Sequence, residues 1–330
     1  MTACPANINE FLTFLPQQHK PPPNSTSSAD SDSYTPLELV PPEHRFISSQ
    51  LYPNLLLNLK DIIGGVVNDL GVGDVSCQSM QDALDDMAMV SFRTERQVSE
   101  YGGYVAEVVR PVVKGLAGRI ISVRHQAVGI LQGSQIGSFS FTIGRRDKTE
   151  DGRFHWVSLN ACADMNVAHP VLLAQAEALS RPFSLDATRK QTGAKAMVVK
   201  LALQMVAANT EFGFFFGGYI AIAAQLVKST DPSRLGLILL LSPAFRLSNE
   251  ALPIPETLTP FQATIQPEPF LAILVAMLCA NLVPGHEVKS PPAAFYQPLP
   301  YKEDEHDSGD NDEDRDGIPA CSVQVGTNAV

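Results

Sequence analysis

The sequence predicts an α/β fold, a mixed sheet with flanking helices, on three observations. Between residues 196 and 208 the only polar side chains are Lys200 and Gln204, which lie on one side of a helix that is otherwise wholly apolar. That helix leads through Asn209-Thr210 into FGFFF, the Gly217-Gly218 pair and YIAIAAQLV, two apolar strands joined by the short turn that glycine permits. Upstream, SFSFTI at 138–143 alternates strictly, as a strand with one polar face does. A buried helix and a buried hairpin need a sheet to pack on, and the preceding strands supply it.

Taken in order, residues 1–43 form a lead-in expected to be disordered. PPP, NSTSSADSDS and Pro41-Pro42 cannot bury enough apolar surface to offset the entropy of ordering. Residues 44–93 read as a helical N-terminal extension: one or two helices over 45–70, then a short surface helix over 79–89 carrying Asp82, Asp85 and Asp86. LGVGDVS at 70–76 looks like a glycine-rich phosphate loop, but it follows a helical pattern where a dinucleotide loop needs a strand and has Ser76 at its third glycine position, so no phosphate loop is expected there. The main domain spans 94–285. It opens with a helix over 94–118 bent at Pro111, followed by strands at 119–124, 138–143 and 154–159. A short helix ending before Pro182 precedes the central helix and hairpin, and LGLILLL at 235–241 adds a buried strand. After a proline-spaced loop, FLAILVAMLCANLV at 270–283 is a buried helix stopped by Pro284-Gly285. Residues 286–330 form a proline-rich and then acidic tail, expected to be disordered.

Composition narrows the classes of function. Hydrophobic residues make up 45% of the 330 and charged ones 18%, enough apolar material for a large core. Five cysteines, widely spaced, encode neither a disulfide framework nor a zinc knuckle, and no secretory leader pattern opens the chain. An intracellular site, cytoplasmic or nuclear, is expected. The longest apolar runs fall short of the ~20 residues that cross a bilayer, so no membrane span is expected. The net charge of −11 is unevenly spread: residues 96–247 hold 17 Lys/Arg against 10 Asp/Glu, whereas both flanks are acidic. A basic middle leaves open a nucleic acid or a protein as partner.

The order of helix, three strands, helix and strand, with Gln204 on the long helix before FGFFFGGYI, resembles the core of the PD-(D/E)XK nuclease-like superfamily. It is closest to the divergent versions found in fungal proteins of uncharacterised function. The resemblance covers about residues 94–241 and implies a restriction-endonuclease-like sheet. It also implies chemistry in which an acid on the second strand and Glu-x-Lys on the third hold a magnesium ion that activates water against a phosphodiester. Here the second strand, GSFSFTI, has no carboxylate, and Ser158, Leu159 and Asn160 stand where Glu-x-Lys belongs. The expectation is therefore a non-catalytic, pseudo-nuclease interaction or regulatory domain. The alternative is a divergent metal-dependent nuclease with a migrated site built from Glu107, Asp147 and Asp164 with Lys200 and Gln204.

Two charged clusters complete the candidates. Arg145, Arg146, Lys148 and Arg153 surround the turn between the second and third strands and could touch phosphates, which charge alone recognises. In that third reading the acidic tail masks a nucleic-acid-binding module. Asp312, Asp314 and Asp316 before Gly317 match the opening of a calcium loop, but Val323 occupies the place of its closing carboxylate, so a solvated acidic tail is expected over a calcium site.

Overall fold

The computed structural model describes residues 5–16, 42–70, 78–90, 95–117, 121–131, 134–148, 154–165, 183–189, 191, 193–207, 209–217, 220–230, 236–249, 265–280 and 289–301; the strands between 121 and 165 are described by their backbone. Its helices are α1 (Ile8–Thr13), α2 (Leu55–Leu70), α3 (Gln78–Met89), α4 (Glu95–Ala117), α5 (Gly193–Ala207) and α6 (Phe270–Cys279). The strands are β1 (Phe46–Leu51), β2 (Ile121–Leu131), β3 (Ser134–Lys148), β4 (Phe154–Met165), β5 (Phe183–Asp186), β6 (Phe212–Phe216), β7 (Ile220–Lys228), β8 (Leu237–Leu241) and β9 (Phe245–Arg246). Among the described residues these strands form one mixed sheet in the order β2-β3-β4-β6-β7-β8-β1-β5, with β9 paired to β7. The expected α/β class with a mixed sheet and flanking helices is what the chain adopts.

The alternation of FGFFF sets the layers. Phe214 and Phe216 turn to one face, where Phe270 of α6 meets them at ring separations of 5.7 and 5.6 Å and Tyr101 of α4 stacks on Phe216 at 5.1 Å. Gly213 turns to the other face, toward Leu201 and Met205 of α5. The sheet therefore lies between α5 on one side and a helical layer of α1, α2, α4 and α6 on the other. In that layer α6 is wrapped completely: all ten of its residues are buried, as a helix without a polar stripe requires. Burial pushes the Cys279 thiol up to about 12.

Several expectations are corrected. Residues 8–13, placed in the disordered lead-in, form α1, capped by Asn7 Oδ1 accepting from the Glu10 amide at 3.0 Å, and α1 buries Ile8 and Phe11 in the core. The stretch read as wholly helical over 45–70 begins with a strand. FISSQL has little apolar periodicity, and its conformation comes from pairing, parallel to β8 (Ile47↔Leu237) and antiparallel to β5 (Ile47↔Leu185). Ser48 and Ser49 are buried there, a tertiary requirement that overrides local propensity. Residues 129–137, expected to connect the first two strands, are mostly strand, since β2 runs to Leu131 and β3 starts at Ser134. In the β6-β7 hairpin the Gly217 amide donates to the Ile220 carbonyl at 2.9 Å, so the ladder continues one step past Phe216. The C-terminal stretch placed in the disordered tail is ordered over 289–301. The Leu299 amide donates to Ser48 Oγ at 3.0 Å, and Tyr301 lies 4.5 Å from the Phe46 ring. The short helix expected before Pro182 and residues 71–77 lie outside the described residues. No described helix is long and apolar enough to cross a membrane.

Two measurements check this packing. A Cβ added to Gly213 would stand 2.8 Å from Met205 Sδ and 3.2 Å from Leu201 Cδ1, so Gly213→Ala forces α5 outward or into poorer rotamers. It is expected to cost about 1–3 kcal/mol in denaturant unfolding, with the fold retained. Cys279 is expected to resist iodoacetamide in the native protein and to label fully once unfolded, as read by mass spectrometry of its peptide. Fast native labelling would mean that α6 is accessible.

Candidate functional site

The predicted metal-site residues are scattered by the topology. Glu107 is exposed on α4. Burial first, and then the carboxylates of Asp86, Glu100 and Glu107, push the Tyr104 phenol above its usual range, which puts Glu107 on an acidic outer face of the helical layer. Lys200, half-buried, and Gln204, 3% exposed, ride on α5, so the sheet stands between them and Glu107. The two aspartates are not where the sequence suggested. Asp147 belongs to β3 rather than to the turn, paired with His155, and Asp164 lies within β4 rather than beyond it, paired with Phe215 of β6. Asp147 faces His155 and Phe141 faces Ala163, so with the two irregularities in β4 Asp164 lies about seven β3 positions from Asp147, roughly 23 Å at about 3.3 Å per residue. Asp164 shares the region of the sheet under α5, two positions along from the level of Gly213, while Asp147 is at the far end of the β3-β4 hairpin.

Ser158 pairs across to Arg145 and Leu159 to Gly144, and the register slips at Asn160, so the position expected for Glu-x-Lys falls at a strand irregularity. Arg145, Arg146 and Lys148 belong to β3 and not to a free turn. Arg153 lies outside the described residues, as do Asp312, Asp314 and Asp316. Among the described residues no group of three or more His, Cys, Asp or Glu side chains gathers as a metal site would.

A different site is formed where β1, β6 and β8 begin and β7 ends. A cleft of about 660 Å³ opens there, within the range of small-molecule pockets. Its walls are the turn before β1 (Glu43, His44), the end of α5 (Met205, Val206), Asn209 to Glu211, the last residues of β7, Gly236-Leu237, and the C-terminal segment with Ser290, Pro291 and Tyr296. Local rules explain the shape. Asn209 takes φ 50°, the left-handed conformation that asparagine tolerates at a helix end, and the Thr210 amide returns to the Met205 carbonyl at 2.9 Å. The chain thus turns sharply from α5 into β6. Gly236 is needed because a Cβ there would stand 3.0 Å from the Phe46 carbonyl oxygen, blocking the approach of β8 to β1. The last wall is pinned by the Thr230 amide donating to the Tyr296 carbonyl at 3.2 Å.

The polar atoms of this cleft are unequally satisfied. Gln225, 1% exposed in β7, donates through Nε2 to Glu211 Oε1 at 2.8 Å. That bond fixes the amide's orientation and leaves Oε1 buried with no hydrogen-bond partner. His44 Nδ1 is buried and likewise has none. Leaving such a group unpaired costs about 1–3 kcal/mol, so both atoms weigh against stability at this end of the sheet. In the sequence Gln225 stands out only as the one strongly polar residue of IAIAAQLV, and His44 and Glu211 carry no pattern that singles them out.

A second polar cluster holds the sheet edge. The Asp186 side chain, 1% exposed, accepts from the Thr188 amide at 2.8 Å and its hydroxyl at 2.6 Å, and faces Arg45 and Arg189 at 3.4 and 3.7 Å. Burial works to raise its pKa, but the Thr188 hydrogen bonds and the Arg45 guanidinium outweigh burial and hold it below the usual carboxylate range. Arg189 also lies 6.0 Å from the Tyr301 ring, tying β5 to the C-terminal segment. The cluster is structural: its carboxylate is saturated.

No family model matches the chain, and no curated protein or solved structure is significantly similar to it.

The Asp186 cluster is testable by pH. A carboxyl whose folded pKa is depressed contributes stability that is present above its unfolded value of about 3.9 and is lost as pH falls through the folded value. Asp186→Asn is therefore expected to cost about 1–3 kcal/mol at pH 7, discounted for the half-exposed arginines. The gap to the parent protein should close below about pH 4 in urea titrations. A gap that persists unchanged at pH 3 would mean that the charge is not what stabilises the edge.

Proposed function

We propose that this protein is a non-catalytic interaction or regulatory domain built on a nuclease-like scaffold. The observation that carries this reading is the register: Asp147 and Asp164, the acids nearest the expected metal position in sequence, are separated along the β3-β4 hairpin by roughly 23 Å. One divalent ion cannot bridge carboxylates so placed, because its ligands must lie within about 2–2.6 Å of it. The scaffold half of the reading draws support from element order. A long helix, α4, precedes the antiparallel β2-β3-β4 meander, and α5 then leads to β6, which lies parallel beside β4 and turns into β7. That is the order the resemblance implies. β1, from before the region of resemblance, joins β8 and β5 to extend the far side of the sheet.

The decisive experiment incubates purified full-length protein with supercoiled DNA and with single-stranded RNA in magnesium and in manganese. No cleavage above that of an Asp147→Ala/Asp164→Ala double variant is expected. Metal-dependent cleavage by the parent protein that the double variant loses would replace this reading with the divergent nuclease.

A further inference from the structure

We propose that one face of β1 is a docking surface for a proline-rich peptide carrying aromatic side chains, and that residues 295–301 fill it as a built-in competitor. The register leads there. Tyr301 lies 4.5 Å from the Phe46 ring, the Leu299 amide donates to Ser48 Oγ at 3.0 Å, and Phe295 lies 5.1 Å from the Tyr52 ring. Each step forward from Phe46 to Ser48 to Tyr52 is matched by an equal step back from Tyr301 to Leu299 to Phe295, so segment and strand run antiparallel in a single register. Phe46, Ser48 and Tyr52 lie an even number of positions apart and so share one face of the strand. Tyr52 still belongs to the ladder, its amide donating to the Leu241 carbonyl at 2.7 Å. Both edges of β1 are taken, by β5 and β8, so the segment is held through the side chains of the face and is not added as a further strand.

The segment meets this face as a bound peptide does. PPAAFYQPLPY, residues 291–301, holds four prolines in eleven residues, which keep the chain extended before it docks and lower the entropy lost on binding. The backbone is extended at Pro292 (φ −53°, ψ 148°) and at Gln297 (φ −100°, ψ 113°), on either side of a 3₁₀ turn over Ala293–Tyr296. Phe295, Leu299 and Tyr301 are half-buried whereas Pro292, Gln297 and Pro300 are exposed, so contact is made on one side. The receiving side is positioned by its own neighbours: Asn58 Nδ2 donates to the Tyr52 hydroxyl at 3.1 Å, and the Arg45 guanidinium lies 5.3 Å over the Phe46 ring. A partner that replaces the segment needs the same chemistry. It must offer an aromatic ring, a non-proline residue four positions on whose amide reaches Ser48, and a second aromatic ring two further, with prolines between them. Such a peptide gives the interaction reading above its ligand and rests on that reading. Asp147 and Asp164 stand on β3 and β4, with β6, β7 and β8 between these strands and β1, so cleavage and peptide binding are tested separately.

The probe is a fluorescein-labelled peptide of residues 291–301, titrated into full-length protein and followed by anisotropy. Phe295→Ala/Tyr301→Ala, which vacates the face in the intact chain, is expected to bind it. The parent protein should bind about tenfold or more weakly, because its own segment competes at an effective concentration on the order of millimolar. Adding Phe46→Ala to the vacated variant should weaken binding about tenfold, the scale of one aromatic anchor, and a peptide with alanine in place of its Phe and final Tyr should not bind. Far-UV circular dichroism checks folding; Tyr301→Ala alone, at the end of the described chain, replaces the double variant if that one unfolds and should also bind more tightly than the parent. No binding to a folded vacated variant, equal binding of the alanine peptide, or equal affinity in parent and vacated variant would overturn the inference. Parent dimers in sedimentation that the vacated variant loses would also overturn it, in favour of the same segment supplied by a second copy.

Discussion

The structure depends on enclosing one helix. FLAILVAMLC presents no polar side chain in any direction, so it cannot lie on a surface, and every residue of α6 is buried. Enclosure needs walls on all sides. The sheet supplies one through Phe214 and Phe216, α4 another through Tyr101, and α2 and α1 close the rest. Aromatic contacts at 5–6 Å tie the first two walls to each other as well as to the helix. The N-terminal helix α1 is recruited for this reason.

Legibility in the sequence follows from where the information resides. α4, α5, α6 and the β6-β7 hairpin are readable because each carries its own periodicity or its own run of apolar residues. β1 is not readable: Phe46, Ile47 and Leu51 are separated by Ser48, Ser49 and Gln50, and only partners far along the chain make FISSQL a strand. The brief apolar content of FSLD hides β5 in the same way. The boundaries of β3 and β4 were underestimated because charged residues such as Arg146 and Asp147 look like a turn. In a sheet with a neighbour on each side, the backbone ladder carries them regardless of polarity.

The candidate site shows the same division. Asking for carboxylates at family positions produced residues that the fold disperses, because sequence proximity to a strand says little about position along it. The cleft, by contrast, is assembled from single residues of six separate segments, and its most informative atom belongs to a glutamine in an apolar strand. Glu211 accepts from its amide nitrogen, which leaves the amide oxygen buried and without a partner.

The position of β1 bears on how the chain is made. This strand lies between β5 and β8, pairing with residues that the ribosome adds about 140 and 190 positions later. Until then, residues 46–51 emerge with hydrogen-bonding groups on both edges unpaired, and the parallel partner arrives last. Such distant closure slows folding and lengthens the interval in which a strand edge can pair with the wrong chain. The sheet can be completed at β1 only when synthesis has passed β8.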